Sequence, residues 1–196
     1  MIISKLVTAP SDEPVTLDQA KLHCRVDGTD EDTLIQGYIG AVRSFLDYDD
    51  GVLGRAIVTQ TWDASVVAPG PDGVIALPVT PVQSLVSIKY FDTNNIEQTL
   101  DLANFTLIAT KWEAKIIPVT GVAWPDTFDR HDAITVQYVA GFGDPDAVPE
   151  ALKHAILLLV CYWYENRETA AGGVEFHDLP WTLKAILGPF KKEAFS

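Results

Sequence analysis

Along the chain, apolar positions recur first with a helical period, then with a period of two, then helically again, and these changes of period set out the architecture. Thr16 and Gln19 have the spacing of a capping box. Behind them Leu17, Ala20 and Cys24 share a face, which predicts a first helix ending near Val26. Asp27-Gly28-Thr29-Asp30 breaks it. Asp30, Glu31 and Asp32 then place negative charge where the next helix has unpaired amides. That second helix carries Leu34, Ile35, Tyr38, Ile39, Val42, Phe45 and Leu46 at helical spacing and runs to Asp47.

From Arg55 the alternation is strict: Val58, Gln60, Trp62, Ala64 and Val66 interleave with Thr59, Thr61, Asp63 and Ser65, as in a half-buried strand. Further β-type runs fall at Val74-Leu77, Leu85-Phe91, Ile96-Leu100, Phe105-Ile108, Ala114-Pro118 and Ile134-Tyr138, separated by turn-forming clusters such as Asp92-Thr93-Asn94-Asn95. Pro149 and Glu150 open a third helix that continues to about Glu168. Its stretch Ala155 to Tyr164 is apolar on every side, so it needs partners all round. Thr169 to Leu179, with Gly172-Gly173, reads as a loop, and Pro180 to Leu187 as a short terminal helix. The expected fold is α+β: a small bundle of about four helices with an antiparallel β-module inserted between helices 2 and 3. Residues 1–54 form the N-terminal helical part, 55–145 the β-module, and 146–196 the C-terminal helices, which pack with 1–54.

Composition agrees with a folded chain: of 196 residues 47% are hydrophobic and 21% charged. The formal charge of −13, with no contiguous basic stripe, argues against a protein that grips nucleic acid through its phosphates. Cys24 and Cys161 match no metal-ligand spacing and sit in apolar sequence, so both are expected to be reduced core residues of a cytosolic protein. The opening Met-Ile-Ile-Ser-Lys-Leu is too short an apolar stretch for a signal peptide, and Asn104-Phe105-Thr106 is therefore expected to be an idle sequon. The longest apolar run, Ala155 to Tyr164, falls well short of the roughly 20 residues that span a bilayer.

Candidate chemistry is sparse. There is no Gly-Lys-Ser or Gly-Lys-Thr, and Gly141-Phe142-Gly143 opens no glycine-rich helix start, which excludes the common phosphate loops. His131-Asp132 and His177-Asp178 have the composition of metal-dependent phosphohydrolase dipeptides, but they fall before a strand and in a loop, where loop polarity accounts for them. Asp47-Tyr48-Asp49-Asp50-Gly51 has its glycine one place early for a calcium loop and Val58 at the twelfth position, so it reads as a helix end. Glu165, Arg167 and Glu168 have the residue types of an acid/base pair around an arginine, yet a solvated helix end or an intersubunit ion pair explains them as well. The five tryptophans lack the interleaved Lys or Arg of a single-strand binding surface and are expected as core or interface anchors. No catalytic, cofactor-binding or metal-binding residue is assigned.

A longer set of features runs through almost the whole chain. It begins with Pro14-Val15-Thr16-Leu17, Ala20, His23 and Arg25-Val26-Asp27, continues with Asp32, Leu34, Ile39 and Ala41, and reaches Gly54-Arg55 and Gln60-Thr61-Trp62 at the β-module. Leu77-Pro78, Pro81-Val82, Val86, Ile88, Tyr90, Trp124-Pro125, Val136, Tyr138 and Ala140-Gly141-Phe142-Gly143 follow. Val148-Pro149-Glu150-Ala151-Leu152-Lys153, the apolar helix and Tyr164-Glu165-Asn166-Arg167-Glu168 complete it. In this order the chain resembles the head-tail connector, or adaptor, proteins of tailed bacteriophages and the related gene transfer agents. The resemblance implies a virion subunit without catalytic residues or cofactor, assembled in the bacterial cytoplasm as a ring beneath the portal protein. It implies neighbouring adaptor subunits, twelve of them by the family's portal, a tail-side stopper or tail terminator protein, and DNA passing through without specific binding.

In related connectors the C-terminal arm engages the portal. That makes Trp181, Leu183, Phe190, Lys191, Lys192 and Phe195 the expected docking residues, with Gly188-Pro189 expected to end the last helix and release Phe190 to Ser196 as a tail. Trp163, Tyr164 and Arg167, at the end of the long helix, are the expected subunit-interface residues. Two other classes remain open on the residues alone. A small hydrolase using His131, Asp132, His177 and Asp178 would retain metal on purification, and a monomeric binding module would show a concave aromatic site.

Overall fold

The computed structural model describes residues 2–47, 51–166 and 180–192. Two compact units emerge from one chain: a sheet unit built from residues 1–10 and 59–142, and a helical unit built from 11–58 and 143–196.

In the helical unit the capping box closes as its residue types dictate. Thr16 Oγ1 accepts from the Gln19 amide at 3.2 Å while Gln19 Oε1 accepts from the Thr16 amide at 2.8 Å, starting helix α1, Leu17–Cys24. Arg25 ends it in the left-handed region, with φ 57°. Helix α2, Asp32–Leu46, buries Ile35, Ile39, Val42 and Leu46, a single stripe at helical spacing. At its end Asp47 is fully buried: Oδ1 accepts from the Ile57 amide at 2.9 Å, and the Arg43 guanidinium lies 3.8 Å from Oδ2. Helix α3, Glu150–Glu165, buries Leu152, Ala155, Ile156, Leu159 and Val160, and packs against α1, α2 and the short helix α4, Trp181–Leu187. Leu157, Leu158, Tyr162, Trp163 and Tyr164 are only half-buried, so the run that reads as apolar all round has one face inside the unit and one at its surface.

Cys24 and Cys161 join α1 to α3 as a disulfide, Sγ to Sγ 2.01 Å, across a Cα separation of 5.3 Å. This corrects the expectation of two reduced core cysteines. Both are half-buried where α1 crosses α3, and residues so far apart in sequence betray no pairing until the helices dock. Alongside, the rings of His23 and His154 meet edge to face, 5.6 Å between centroids.

In the sheet unit five antiparallel strands run in the order β1 (Ile2–Thr8), β2 (Gln60–Val66), β8 (Ile134–Ala140), β4 (Val82–Phe91), β5 (Glu97–Leu100). A second sheet orders β3 (Ile75–Leu77), β7 (Ala114–Pro118) and β6 (Phe105–Ala109). The alternation predicted for β2 appears as burial: Gln60, Trp62, Ala64 and Val66 are inside, while Thr61, Asp63 and Ser65 are partly exposed. Register sets Trp62 opposite Tyr138 and Ala64 opposite Val136, so β8 repeats the pattern beside it. Trp62 Nε1 donates to Gln60 Oε1 at 3.0 Å, and the Tyr138 hydroxyl accepts from the Val79 amide at 3.2 Å, which satisfies the buried polar atoms these residues bring in.

The assignment of residues 1–54 to a helical part needs amending at its start. Residues 2–8 form β1, an edge strand paired along β2 from Ile2 opposite Val66 to Thr8 opposite Thr61, and they belong to the sheet unit.

Candidate functional site

His131 and Asp132 line an open depression of about 600 Å³ in the sheet unit, together with Val67, Asn95, Phe128, Asp129 and Arg130. Arg130 fixes its character. The guanidinium donates from Nε to Asp132 Oδ1 at 2.6 Å, from Nη2 to Oδ2 at 2.8 Å and from Nη1 to Asn95 Oδ1 at 3.0 Å, and stacks 3.6 Å from the centre of the Phe91 ring. Held by that fork, the Asp132 carboxyl lies below the usual carboxylate range and the guanidinium above its own. Both carboxylate oxygens are thus engaged in a clamp that ties the start of β8 to the β4–β5 turn. His177 and Asp178 lie outside the described residues, and among the described residues no three His, Cys, Asp or Glu side chains converge on a metal position. Glu165 closes α3 as an exposed helix end; Arg167 and Glu168 lie outside the described residues.

Arg55 is the largest fully buried side chain, and burial lowers its pKa from the usual guanidinium value. It sits in the Gly54-Arg55 step, where Gly54 has φ 63° and a Cβ would come within 3.4 Å of the Lys192 side chain.

What the molecule offers instead is surface on the helical unit. Trp163 turns inward: its ring meets Phe45 of α2 at 5.9 Å, and its indole Nε1 is buried without a hydrogen-bond partner among the described residues. The Tyr164 hydroxyl donates to Glu31 Oε2, just before α2. Both expected interface residues therefore brace α3 on α2, and Arg167 lies outside the described residues. On α4, Trp181 is 81% exposed while Leu183 is 4% exposed, so Leu183 belongs to the unit's own core and is withdrawn from the docking set. The tail is corrected in part. Gly188–Phe190 continues α4 as a 3-10 turn, Phe190 is half-buried, and the Lys192 amide donates to the Leu53 carbonyl at 2.9 Å, so Phe190, Lys191 and Lys192 are tied to the unit. Phe195 lies outside the described residues.

Two features escaped the sequence reading: Leu22 on α1, 83% exposed, and the edge strand β1, whose Ile3 and Val7 are 43% and 45% exposed. The five tryptophans divide between roles, with Trp62 in the core, Trp124 donating to the Gly73 carbonyl at 2.7 Å, and Trp181 at the surface.

Compared with known proteins, residues 14–117 match the family model described as phage gp6-like head-tail connector protein, which is more than half of the chain. No curated protein matches. Among solved structures, a chain in the neck of an empty gene transfer agent particle is similar with a TM-score of 0.79 and 18% identity, covering 99% of this chain and 97% of that one. A chain of the virion of a native gene transfer agent particle is similar with a TM-score of 0.79, 19% identity and the same coverages. A chain in the neck of a native particle computed with C12 symmetry reaches a TM-score of 0.69 at 18% identity.

Proposed function

Because this chain belongs to the phage gp6-like head-tail connector family, we propose that it is a structural adaptor subunit that forms a ring beneath the portal, joins capsid to tail and lines part of the DNA exit channel. The observation that carries the reading is the family match over residues 14–117. The fold shared with neck and virion chains of gene transfer agent particles over 99% of the chain supports it. Neighbouring copies, twelve by the family's portal, and a tail-side stopper or tail terminator complete the assembly in the neck of the particle, which is put together in the bacterial cytoplasm.

Two physical features fit the role. Trp181 and Leu22 stand out from the helical unit and Leu158 and Tyr162 are half-buried on α3, the kind of apolar side chain that an assembled neighbour covers. Charge is the second feature: ten acidic against five basic residues between 55 and 145, and ten against four between 1 and 54, make walls that repel phosphates. In this reading Trp181, Phe190, Lys191, Lys192 and Phe195 serve portal docking, and Trp163 and Tyr164, which brace α3 on α2, serve the subunit boundary together with Arg167. The test is electron microscopy of the purified protein mixed with its portal. A ring docked on the portal is expected; a protein that stays monomeric and leaves the portal bare overturns the proposal.

A further inference from the structure

Each unit carries one exposed feature that complements a feature of the other. In the sheet unit, the depression that holds the Arg130 clamp is lined by two exposed apolar side chains, Val67 and Phe128, and by Asp129, an exposed carboxylate with no hydrogen-bond or ion-pair partner among the described residues. The charges of Arg130 and Asp132 cancel within their clamp, which leaves the Asp129 carboxylate open to a cation. In the helical unit, Leu22 is 83% exposed, the most exposed large apolar side chain among the described residues, and Arg25 follows three positions later where α1 ends. Arg43 is paired with Glu13, Arg55 is buried and Arg130 is clamped. Among the described residues that makes Arg25 the one exposed guanidinium without a partner. It stands at φ 57°, a left-handed step where helices favour glycine, so a side chain is kept where the turn itself needs none.

We infer that the Leu22 and Arg25 end of α1 in one copy seats in the Val67, Phe128 and Asp129 depression of the next; the inference rests on the ring reading above and names the contact between its subunits. Chemistry selects this occupant. A guanidinium can lie on an aromatic face and fork to a carboxylate at once, and Arg130 does both beside the depression, on Phe91 and on Asp132. Arg25 repeats that arrangement on Phe128 and Asp129 of the next copy, while Leu22 covers Val67 and is itself removed from water. Lys5 and Lys115 are exposed too, but an ammonium is a point charge that neither forks to a carboxylate nor stacks flat on a ring. Knob and socket differ and lie on different units, so the contact is heterologous: every copy offers one of each, and a closed ring uses them all.

The experiment uses the full chain assembled on its portal. Phe128→p-benzoylphenylalanine is irradiated in rings mixed from isotope-labelled and unlabelled copies, and the cross-linked peptides are read by mass spectrometry. A cross-link to the peptide holding Leu22 and Arg25 is expected, in mixed-isotope pairs that mark it as running between copies. In parallel, Arg25→Glu and Asp129→Arg, both at exposed positions, should each leave Tm in place and weaken ring formation by roughly two- to fivefold per interface, and the two in one chain should restore it. Leu22→Ser should weaken it by roughly tenfold. A ring on the portal in which Phe128→p-benzoylphenylalanine reaches another segment, its own copy, the portal or nothing overturns the contact and leaves the adaptor reading standing. So does a ring that ignores both charge reversals, or reversals that fail to rescue each other. A protein that never docks overturns the adaptor reading and this inference with it.

Discussion

Reducing the Cys24–Cys161 disulfide should be the most damaging single chemical change to the isolated protein, and its size can be worked out. The cysteines are 137 residues apart, and closing so long a loop removes about 5 kcal/mol of unfolded-state freedom in the chain-entropy treatment. If residues 59–142 stay folded while the helical unit opens, the free loop shrinks to about 50 residues; the dependence is logarithmic, so the figure falls only to about 4 kcal/mol. α1 has little else to hold it. It is eight residues long and only Ala20 is buried. At ~2–4 °C per kcal/mol for a chain of this size, reduction should lower Tm by roughly 8–20 °C. The assay is circular dichroism melting with and without a phosphine reductant, alongside Cys24→Ser, Cys161→Ser and the double variant. All three variants should melt with the reduced wild type and ignore the reductant. Two titratable thiols in the air-purified protein, or a Tm unmoved by verified reduction, would refute the reasoning.

Four further outcomes follow from other parts of the molecule. Ile156→Ala, at a fully buried α3 position, should cost about 2–5 kcal/mol by denaturant unfolding, whereas Leu158→Asp, half-buried one turn face away, should leave the subunit folded and abolish ring assembly on the portal. The Asp92 carboxyl is held below its usual range, first by the Ile96 amide and further by Gln98 and Asn94, so its contribution is complete above the unfolded value near ~4 and lost as pH falls through the folded one; Asp92→Asn should melt lower at pH 7 and show a flatter acid limb. Duplex DNA should bind more weakly than micromolar at physiological salt in a filter or anisotropy assay, because a charge of −13 opposes counterion release. Deleting residues 190–196 should lower Tm measurably as well as weaken docking, since Phe190 is half-buried and the Lys192 amide bonds to Leu53.

Legibility varied with the strength of the local pattern. α2 and β2 could be read because their apolar residues sit at one period on one face, and burial follows that face residue by residue. β1 had no such face. None of its residues is buried, so no face is marked as inside, and nothing in Ile-Ile-Ser-Lys-Leu-Val-Thr reads as a half-buried strand. α3 fails in the opposite way. With every position from Ala155 to Tyr164 apolar, no period remains to say that Leu159 and Val160 are inside while Leu157 and Leu158 are at the surface. The disulfide was hidden because it depends on how two distant helices cross. Gly188-Pro189 reads as a stop, but the backbone bond from Lys192 to Leu53 that holds the following residues leaves no trace in side-chain chemistry.

Exposed apolar residues that could serve an interface resist sequence reading more than core residues do, because local pattern does not separate the two. Trp181 and Leu183 stand two positions apart on a seven-residue helix, both apolar, yet one is 81% and the other 4% exposed. Two positions on a helix differ by more than half a turn, so they face opposite ways, and only the packing of α4 on α3 decides which way is in. Burial of Leu183 stabilises the subunit; Trp181, left exposed, would gain burial only in the portal docking proposed for it. The two energies can therefore be separated by substitution. Leu183→Ala should cost the ~2–5 kcal/mol of a core truncation and lower Tm accordingly, whereas Trp181→Ala should leave Tm in place and reduce portal docking. An interface residue is recognised by that second behaviour, an apolar side chain whose loss the isolated fold does not feel.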